Sequence, residues 1–156
     1  MRDKIFSIST IPGDGIGLDI VESATTIVDK AASIIGGFQC NWDYIKAGAM
    51  YYKETGLDVE IGGEEKADKS DAIFLGAIGL PNIRKEDGTE IAPHLRFREK
   101  FGLYAGVRPV KAYPNSPQRL KDPNSKNIDL VILRECTEGL FYTASVHNRN
   151  PLANDN

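Results

Sequence analysis

A strand, a glycine-rich turn and a long amphipathic helix follow one another at the start of the sequence, and this order restricts the fold more than any other feature. Residues Lys4 to Thr10 alternate in part between apolar and polar side chains, as strands do. From Ile20 to Ile35, apolar residues recur at intervals of three and four, which predicts a helix with one apolar face that ends at Gly36. Consecutive strand and helix patterns are the building units of α/β proteins.

The same alternation continues downstream and defines the predicted fold class. Further strands are predicted over 38–45, 71–76, 103–110 and 128–133, with one more over 140–146. Helices are predicted near residue 47, over 60–69 and over 91–100, and the stretches 77–90 and 113–127 are predicted to be loops. Since strands alternate with helices, we expect an α/β fold with a mostly parallel sheet flanked by helices.

The length, net charge and cysteine content of the sequence indicate which classes of binding partner and which cellular compartment to expect. The chain has 156 residues and a formal net charge of −3, which argues against nucleic acid, because phosphate binding needs a basic surface. No apolar stretch reaches the ~20 residues that cross a bilayer, so no membrane partner is expected. Cys40, Cys136, His94 and His147 are isolated and show no metal-type or redox-type spacing. We therefore expect a cytoplasmic protein with reduced thiols.

The turn Gly13-Asp14-Gly15-Ile16-Gly17 lies between the first strand and its helix and has two interpretations. Its backbone N–H groups could approach a ligand at the start of the helix. Alternatively, the glycines serve a tight strand-to-helix turn that needs positive φ. The dinucleotide fingerprint is not matched, because the third glycine comes too early.

Three arginines, Arg98, Arg108 and Arg134, form the main candidate binding set. The planar fork of donors on arginine fits a carboxylate in bidentate geometry, so three of them suit a small dicarboxylate. Arg134 follows the apolar run 128–132, which predicts a buried strand that ends at a ligand-binding sheet edge. Each arginine could instead be a surface charge or part of a structural ion pair, as charged neighbours such as Arg96 indicate.

The residues that follow Arg134 also carry two interpretations. Glu135, Thr137 and Glu138 could orient Arg134 or take part in acid–base chemistry. They could equally form a salt-bridged turn. Cys136 is interpreted as a small buried apolar side chain rather than a nucleophile, since no base is recognisable near it.

Four segments, in this order, resemble the isocitrate/isopropylmalate dehydrogenase family, the metal-dependent β-decarboxylating dehydrogenases that include tartrate dehydrogenase. Ile11 to Gly17 resembles its opening motif, and Gly76 to Pro81 resembles its glycine segment near the nicotinamide. Arg98 and Arg108 are similar to its paired substrate arginines. Arg134 to Gly139 resembles its Arg-Glu-Asn-Thr-Glu-Gly motif, so the matches cover nearly the whole chain.

This resemblance implies an enzyme that oxidises a 2-hydroxy acid with NAD or NADP, often with loss of CO₂. Arg98, Arg108 and Arg134 would hold the carboxylates of a malate-type substrate. The cofactor would contact four residues: Ile16, Gly79, Leu80 and Pro81. A divalent metal, Mg²⁺ or Mn²⁺, would act as a Lewis acid on the substrate oxygens, with ligands that lie outside this chain.

The resemblance also implies how the chain is organised. Residues 1–102 would be the first part of the larger, cofactor-side α/β domain. Residues 103–156 would begin a second domain that carries substrate and dimer contacts. The full-length protein would be a homodimer in which the second subunit supplies a catalytic lysine, and we expect this N-terminal portion alone to be inactive.

Two positions near Arg134 depart from the family pattern. Cys136 replaces the Asn of the motif, and the position of the proton-transferring tyrosine falls on Phe141, with Tyr142 next. A shift of one residue along a strand moves a side chain to the other face. Tyr142 is therefore the candidate catalytic phenol only if the backbone bulges or the register changes.

The residues before Arg98 bear on the choice of substrate. Leu95 and Phe97 favour an apolar substituent, as in 3-isopropylmalate, whereas His94 fits the second hydroxyl of tartrate. The Ser and Asn typical of isocitrate-specific members are absent. We rank 3-isopropylmalate first, tartrate or malate next and isocitrate last. Two other functions stay open, a non-catalytic truncated remnant and a small-carboxylate binding module.

Overall fold

The computed structural model of the protein describes residues 4–117 and 119–139, which form five strands, four α-helices and a 3₁₀ helix. In chain order these are β1 Lys4–Gly13, α1 Gly17–Ile35, β2 Phe38–Tyr44, α2 Ala49–Thr55, α3 Gly63–Lys69, β3 Ala72–Ala77, α4 Pro93–Lys100, β4 Ala105–Lys111, the 3₁₀ helix Pro123–Asn127 and β5 Asp129–Glu135. The chain divides into two compact units, Met1–Arg96 and Phe97–Asn156.

The first unit is built on a three-stranded parallel sheet in the order β2-β1-β3. β1 is the central strand, and Thr10 on it is in register with Tyr44 on one side and Phe74 on the other. Parallel neighbours need a crossover connection. α1 provides the connection between β1 and β2, and α2 and α3 lie between β2 and β3. The predicted α/β class with a parallel sheet and flanking helices is confirmed.

α1 packs one stripe of small and apolar residues against this sheet. Its buried residues are Gly17, Val21, Thr25 and Ala32. Trp42 on β2 donates from Nε1 to Asp29 Oδ1 at 2.9 Å, and its ring packs on Phe74 of β3 at 5.8 Å between centroids. Ile11 on β1 and Ile45 just after β2 are completely or almost completely buried. These contacts fix the helix and the carboxyl ends of the strands relative to one another.

The second unit contains a separate antiparallel sheet of two strands, β4 and β5. The pairing runs from Ala105 opposite Glu135 to Lys111 opposite Asp129. Between the strands the structure describes residues 112–117 and 119–128, and the helical element among them is the 3₁₀ helix, whose start is capped by the Asp122 side chain. Antiparallel strands need no crossover connection, in contrast to the parallel strands of the first unit.

The β5 strand is not buried, contrary to the interpretation of its apolar run. Leu130 is 46% exposed and Leu133 is 74% exposed. The physical reason is that a two-stranded sheet buries little of its own surface. The apolar run therefore predicted the strand correctly and its burial wrongly.

Several boundaries differ from those predicted. β1 continues through Ile11 and Pro12 to Gly13, so the strand includes the start of the glycine motif. The division between the two compact units falls between Arg96 and Phe97, within α4. The strand predicted over 140–146 lies outside the described residues. Within residues 4–117 and 119–139, no helix has the length and apolar character needed to cross a membrane.

Candidate functional site

The glycine turn packs directly against the end of β3. A Cβ atom on Gly13 would lie 2.1 Å from the carbonyl oxygen of Ala77, and one on Gly17 would lie 2.1 Å from that of Pro12. Gly13 also has a φ of 76°, in the left-handed region that favours glycine. Backbone crowding therefore explains these glycines, as the tight-turn interpretation expects.

The amides at the start of α1 are partly bonded within the turn. Gly17 N–H donates to the Asp14 carbonyl at 2.9 Å, and Leu18 N–H donates to the Gly15 carbonyl at 3.4 Å. Ile16, at the N-cap position, projects outward and is 66% exposed. Of the residues in the turn, Gly15 and Ile16 are thus the exposed ones.

Asp14 lies at the centre of the turn and is only 3% exposed. Its Oδ1 accepts a hydrogen bond from Met50 N–H at 2.8 Å. Its Oδ2 accepts from Ala49 N–H at 2.7 Å and from Gly79 N–H at 2.8 Å. Because Ala49 and Met50 begin α2, the carboxylate satisfies two amides that a helix start leaves unbonded. One side chain thus joins the glycine turn, α2 and the segment after β3.

A cavity of about 480 Å³ lies between α2 and the segment that follows Gly79. It is lined by Tyr52, Lys53, Leu80, Pro81, Asn82, Ile83 and Arg84. Its volume is within the range of small-ligand sites. Arg84 is held by Glu90 at 3.0 Å and by the Gly88 carbonyl at 3.1 Å. The lining includes Leu80 and Pro81, two of the four residues that the resemblance assigned to the cofactor.

Arg108 and Arg134 lie on the same face of the β4–β5 sheet. Arg134 is paired with Gly106, and Arg108, two positions from Gly106, points to the same face. The two arginines are therefore diagonal neighbours, with Cβ atoms about 7 Å apart in a regular antiparallel pair. Gly106 has no side chain of its own on this face, and a Cβ atom there would lie 3.1 Å from Cys136 Sγ.

The two arginines of α4 have different surroundings. Arg96 donates to both carboxylate oxygens of Asp58, at 2.9 and 3.0 Å, and to Glu64 at 2.6 Å. The hydrogen bonds to Asp58, followed by those to Glu64, raise the pKa of Arg96 despite its partial burial. Within residues 4–117 and 119–139, the side chains of Arg98 and Arg108 have no hydrogen bond or ion pair. Of the two, Arg96 is thus the arginine that forms structural ion pairs.

Glu135 holds the turn that follows β5. Its carboxylate accepts from Thr137 Oγ1 at 2.6 Å, from Thr137 N–H at 2.8 Å and from Glu138 N–H at 2.7 Å. These bonds, that of the Thr137 side chain first, lower the pKa of Glu135. Cys136 is buried, and its thiol donates to the Arg134 carbonyl at 3.5 Å. Hydrogen bonds to the Glu135 carboxylate thus hold this turn.

Two parts of the expected site are not built from the described residues. Tyr142, and Phe141 beside it, lie outside them. Within the two described stretches, no group of three or more His, Cys, Asp or Glu residues could hold a metal ion.

Sequence reasoning treated Asp14 only as a turn residue and did not single out Tyr52 or Lys53. One pattern could have drawn attention to Asp14. The N-cap residue of α2 is Gly48, and no side-chain cap bonds to the helix from that position. The first amides of a helix need hydrogen-bond acceptors, and Gly48 has no side chain that could supply one. A helix that starts in this way indicates that a residue distant in sequence, here Asp14, supplies the acceptor.

The parallel sheet, with the glycine turn and the segment after β3 at its carboxyl end, defines an α/β protein. The sequence profile of isocitrate/isopropylmalate dehydrogenase matches residues 7–154. The chain therefore belongs to the isocitrate/isopropylmalate dehydrogenase family, whose members are oxidoreductases that act on hydroxy acids.

Individual relatives include enzymes with different substrates. A probable tartrate dehydrogenase/decarboxylase of Agrobacterium vitis is 32% identical over 136 residues, which are 87% of this chain and 38% of the relative. A 3-isopropylmalate dehydrogenase of Bifidobacterium longum is 36% identical over 138 residues, or 88% of this chain and 39% of the relative. The crystal structure of isocitrate dehydrogenase from Methylococcus capsulatus has a TM-score of 0.65 at 28% identity, covering 88% of this chain and 36% of that one. The chain thus spans well under half the length of these relatives.

Proposed function

We propose that this chain carries part of the active site of an enzyme that oxidises a malate-type 2-hydroxy acid with NAD or NADP, followed by decarboxylation. The observation that supports this best is the placement of Arg108 and Arg134 as diagonal neighbours on one face of the β4–β5 sheet. Two guanidinium forks at this spacing suit the carboxylates of a small diacid. Membership of a hydroxy-acid dehydrogenase family agrees with that chemistry.

Arg98 is the third member of the proposed carboxylate set. Like Arg108, it forms no ion pair with any residue that the structure describes, so its charge is not already neutralised there. Arg96, in contrast, donates hydrogen bonds to the carboxylates of Asp58 and Glu64. The proposal therefore assigns carboxylate binding to Arg98, Arg108 and Arg134 and gives Arg96 a structural role.

The proposed order of substrates is 3-isopropylmalate, then tartrate or malate, then isocitrate. Of the two apolar residues before Arg98, Leu95 is 50% exposed, whereas Phe97 is 3% exposed and packs on Phe101. Leu95 is thus the residue that supports an apolar substituent. Relatives at 36% and 32% identity are a 3-isopropylmalate dehydrogenase and a probable tartrate dehydrogenase/decarboxylase, the same two leading candidates.

The cofactor and the metal are further parts of the proposal. NAD, or NADP, would contact Ile16 and the segment Gly79, Leu80 and Pro81, of which Ile16 is exposed and Leu80 and Pro81 line the cavity. Mg²⁺ or Mn²⁺ would act as a Lewis acid, and the residues described do not form a site that fits it. We propose ligands outside this chain, in a homodimer whose second subunit completes the site.

The carboxylate assignment predicts the effect of Arg108→Lys in a protein that contains this sequence together with the family's remaining length. Loss of the bidentate contact should lower kcat/KM about 10- to 100-fold, because a charged hydrogen bond contributes roughly 1.5–3 kcal/mol. Steady-state assays with NAD, Mn²⁺ and each of 3-isopropylmalate, tartrate and isocitrate measure this. Arg119→Lys is the matched control and should have no effect. Unchanged kcat/KM for every active substrate would show that Arg108 is assigned wrongly.

The same arginine face also fits a module that binds small carboxylates without turning them over. Titration of the 156-residue chain with malate at low and high salt tests the binding that both functions share. Salt-sensitive binding that is lost in Arg108→Lys supports the arginine site in either case. Turnover in the assays above then separates the dehydrogenase from the binding module.

A further inference from the structure

We propose that Asp14 is a positioning residue that fixes both walls of the 480 Å³ cavity relative to one another. One wall is α2 and the other is the segment after Gly79. This inference depends on the proposed function only for the identity of the ligand, since Leu80 and Pro81 are proposed cofactor contacts. The evidence for Asp14 itself comes from hydrogen bonds and burial within the first unit.

The first wall is anchored at the start of α2. Asp14 accepts the N–H groups of Ala49 and Met50, at 2.7 and 2.8 Å. Tyr52 and Lys53 line the cavity within the next turn of the same helix. α2 has only seven residues and no side-chain cap from its own N-cap residue. So short a helix gains little stability from its own hydrogen bonds, and its placement therefore depends on outside contacts such as those of Asp14.

The second wall is anchored at Gly79. Its N–H donates to Asp14 Oδ2 at 2.8 Å, the oxygen that also accepts from Ala49. Gly79 has a φ of 105°, and the chain then makes a tight turn in which Ile83 N–H donates to the Leu80 carbonyl at 3.0 Å. Leu80 and Ile83, at the ends of this turn, both line the cavity. By holding Gly79, Asp14 therefore sets the direction of the chain segment that follows β3 and forms the second wall.

The site accepts a carboxylate and no close substitute. Three N–H donors converge on two oxygens, and Asp14 itself is 3% exposed. An asparagine at this position would turn its NH₂ group toward at least one of these donors. Gly48 is required beside it, because a Cβ atom there would lie 2.5 Å from Asp14 Oδ2. The arrangement therefore suits two side-chain oxygens that both accept hydrogen bonds at this position.

A purely structural role for Asp14 would make a different prediction. If Asp14 only stabilised the first unit as a whole, its loss would increase hydrogen exchange everywhere, including the central strand β1. If Asp14 positions the two walls, the increase should be confined to the amides it holds and to the residues that follow them.

The experiment compares Asp14→Asn with Asp71→Asn by residue-resolved amide hydrogen exchange of the 156-residue chain. Asp71 is the matched control, because its Oδ2 also accepts a backbone N–H, that of Ser7 at 2.9 Å, at an exposed position. In Asp14→Asn we expect exchange at Ala49, Met50 and Gly79 to rise at least about tenfold, which corresponds to the loss of one well-made hydrogen bond. The β1 amides should stay within about twofold of the wild type, and Asp71→Asn should leave all three amides unchanged.

Two outcomes would overturn the proposal. One is no rise at the three amides, and the other is an equal rise across β1. If Asp14→Asn fails to fold, hydrogen exchange of the wild-type chain at several denaturant concentrations tests the proposal instead. The amides of Ala49, Met50 and Gly79 should then exchange with the same opening free energy and the same dependence on denaturant. A Gly79 amide that opens independently of those of Ala49 and Met50 would contradict the proposal that Asp14 anchors all three.

A titration with NADH links the anchor to the proposed cofactor. Local loosening of both walls should weaken NADH binding at least about fivefold in Asp14→Asn and leave it unchanged in Asp71→Asn. A wild-type chain that does not bind NADH counts against the cofactor assignment of Leu80 and Pro81. The exchange data still decide the role of Asp14 in that case, so the two failures are distinguishable.

Discussion

Arg96 and Arg98 are two residues apart in α4, and their different contacts predict different consequences of mutation. Arg96 binds Asp58 and Glu64, whereas Arg98 forms no side-chain bond within the described residues. Arg96→Ala should lower the free energy of unfolding by about 1 kcal/mol, a value discounted for the 45% exposure of the arginine. Arg98→Ala should stay within about 0.5 kcal/mol of the wild type. Urea denaturation measures both, and equal losses would contradict this division of roles.

The Asp58 carboxylate predicts a dependence of stability on pH. Burial raises its pKa, but hydrogen bonds and charge from Arg96 outweigh this and bring the pKa below the ordinary value of 3.8. A carboxyl group whose pKa is lower in the folded state stabilises the fold above its unfolded pKa and loses that effect as pH falls through the folded pKa. The cost of Asp58→Asn, about 1 kcal/mol near neutral pH, should therefore shrink below about pH 4.

The control for this pH effect is the same substitution in an Arg96→Ala background. Removing Arg96 removes the main effects that lower the pKa of Asp58, while the charge of Lys85 and a backbone hydrogen bond still lower it and burial still raises it. The cost of Asp58→Asn near neutral pH should then be smaller, and it should shrink less as the pH falls below about 4. An undiminished pH dependence without Arg96 would contradict the assignment of the lowered pKa to Arg96.

At the scale of elements, the contact between β3 and the end of β1 depends on the absence of side chains. A Cβ atom on Gly76 would lie 2.2 Å from the Pro12 carbonyl oxygen and 2.9 Å from Val21 Cγ2. Gly76→Ala should therefore cost about 3 kcal/mol through overpacking against a rigid backbone. Gly88→Ala is the control, since it has positive φ but nothing within 4 Å, and should cost about 1 kcal/mol. Thermal or urea unfolding measures both variants, and an equal loss of stability in the two would contradict the proposed crowding at Gly76.

Elements with strong local patterns could be predicted from the sequence. The three- and four-residue spacing from Ile20 to Ile35 corresponds to α1, and the apolar run at 71–76 corresponds to β3. The antiparallel pairing of β4 with β5 was not predicted, because strand direction depends on the connecting segment and not on the apolar pattern of either strand. The exposure of β5 was missed for a related reason, since burial depends on neighbouring layers that a strand's own residues do not define.

The candidate site was predictable to a different extent at each residue. The chemistry of arginine pointed to Arg108 and Arg134, and their common face follows from a register that only the three-dimensional pairing shows. Asp14 was not identified as an anchor, because its partners Ala49 and Gly79 are distant in sequence and use backbone N–H groups. Backbone donors are present at every residue except proline, so side-chain identity does not reveal which of them converge on one carboxylate.

At the scale of the whole molecule, apolar side chains are distributed in ordered surfaces as well as in the core. Ile20, Ile27 and Ile34 of α1 recur at every seventh position and are 46%, 68% and 72% exposed. They form a second apolar stripe, distinct from the buried stripe that includes Val21. Large ordered apolar patches are unusual on the surface of isolated soluble domains, where exposed apolar residues are usually scattered.

The last prediction separates the two stripes of α1 by their contributions to stability. Ile27→Lys removes an exposed side chain and should change the free energy of unfolding by less than about 0.5 kcal/mol, while it lowers the fluorescence of a dye that binds apolar surfaces. Val21→Ala, at a residue only 2% exposed, should cost about 2 kcal/mol and leave dye binding by the folded chain unchanged. Urea denaturation and dye titration of both variants check this. If Ile27→Lys destabilised the chain as much as Val21→Ala, the exposed stripe would belong to the core of this unit, since only buried apolar contacts contribute energies of that size.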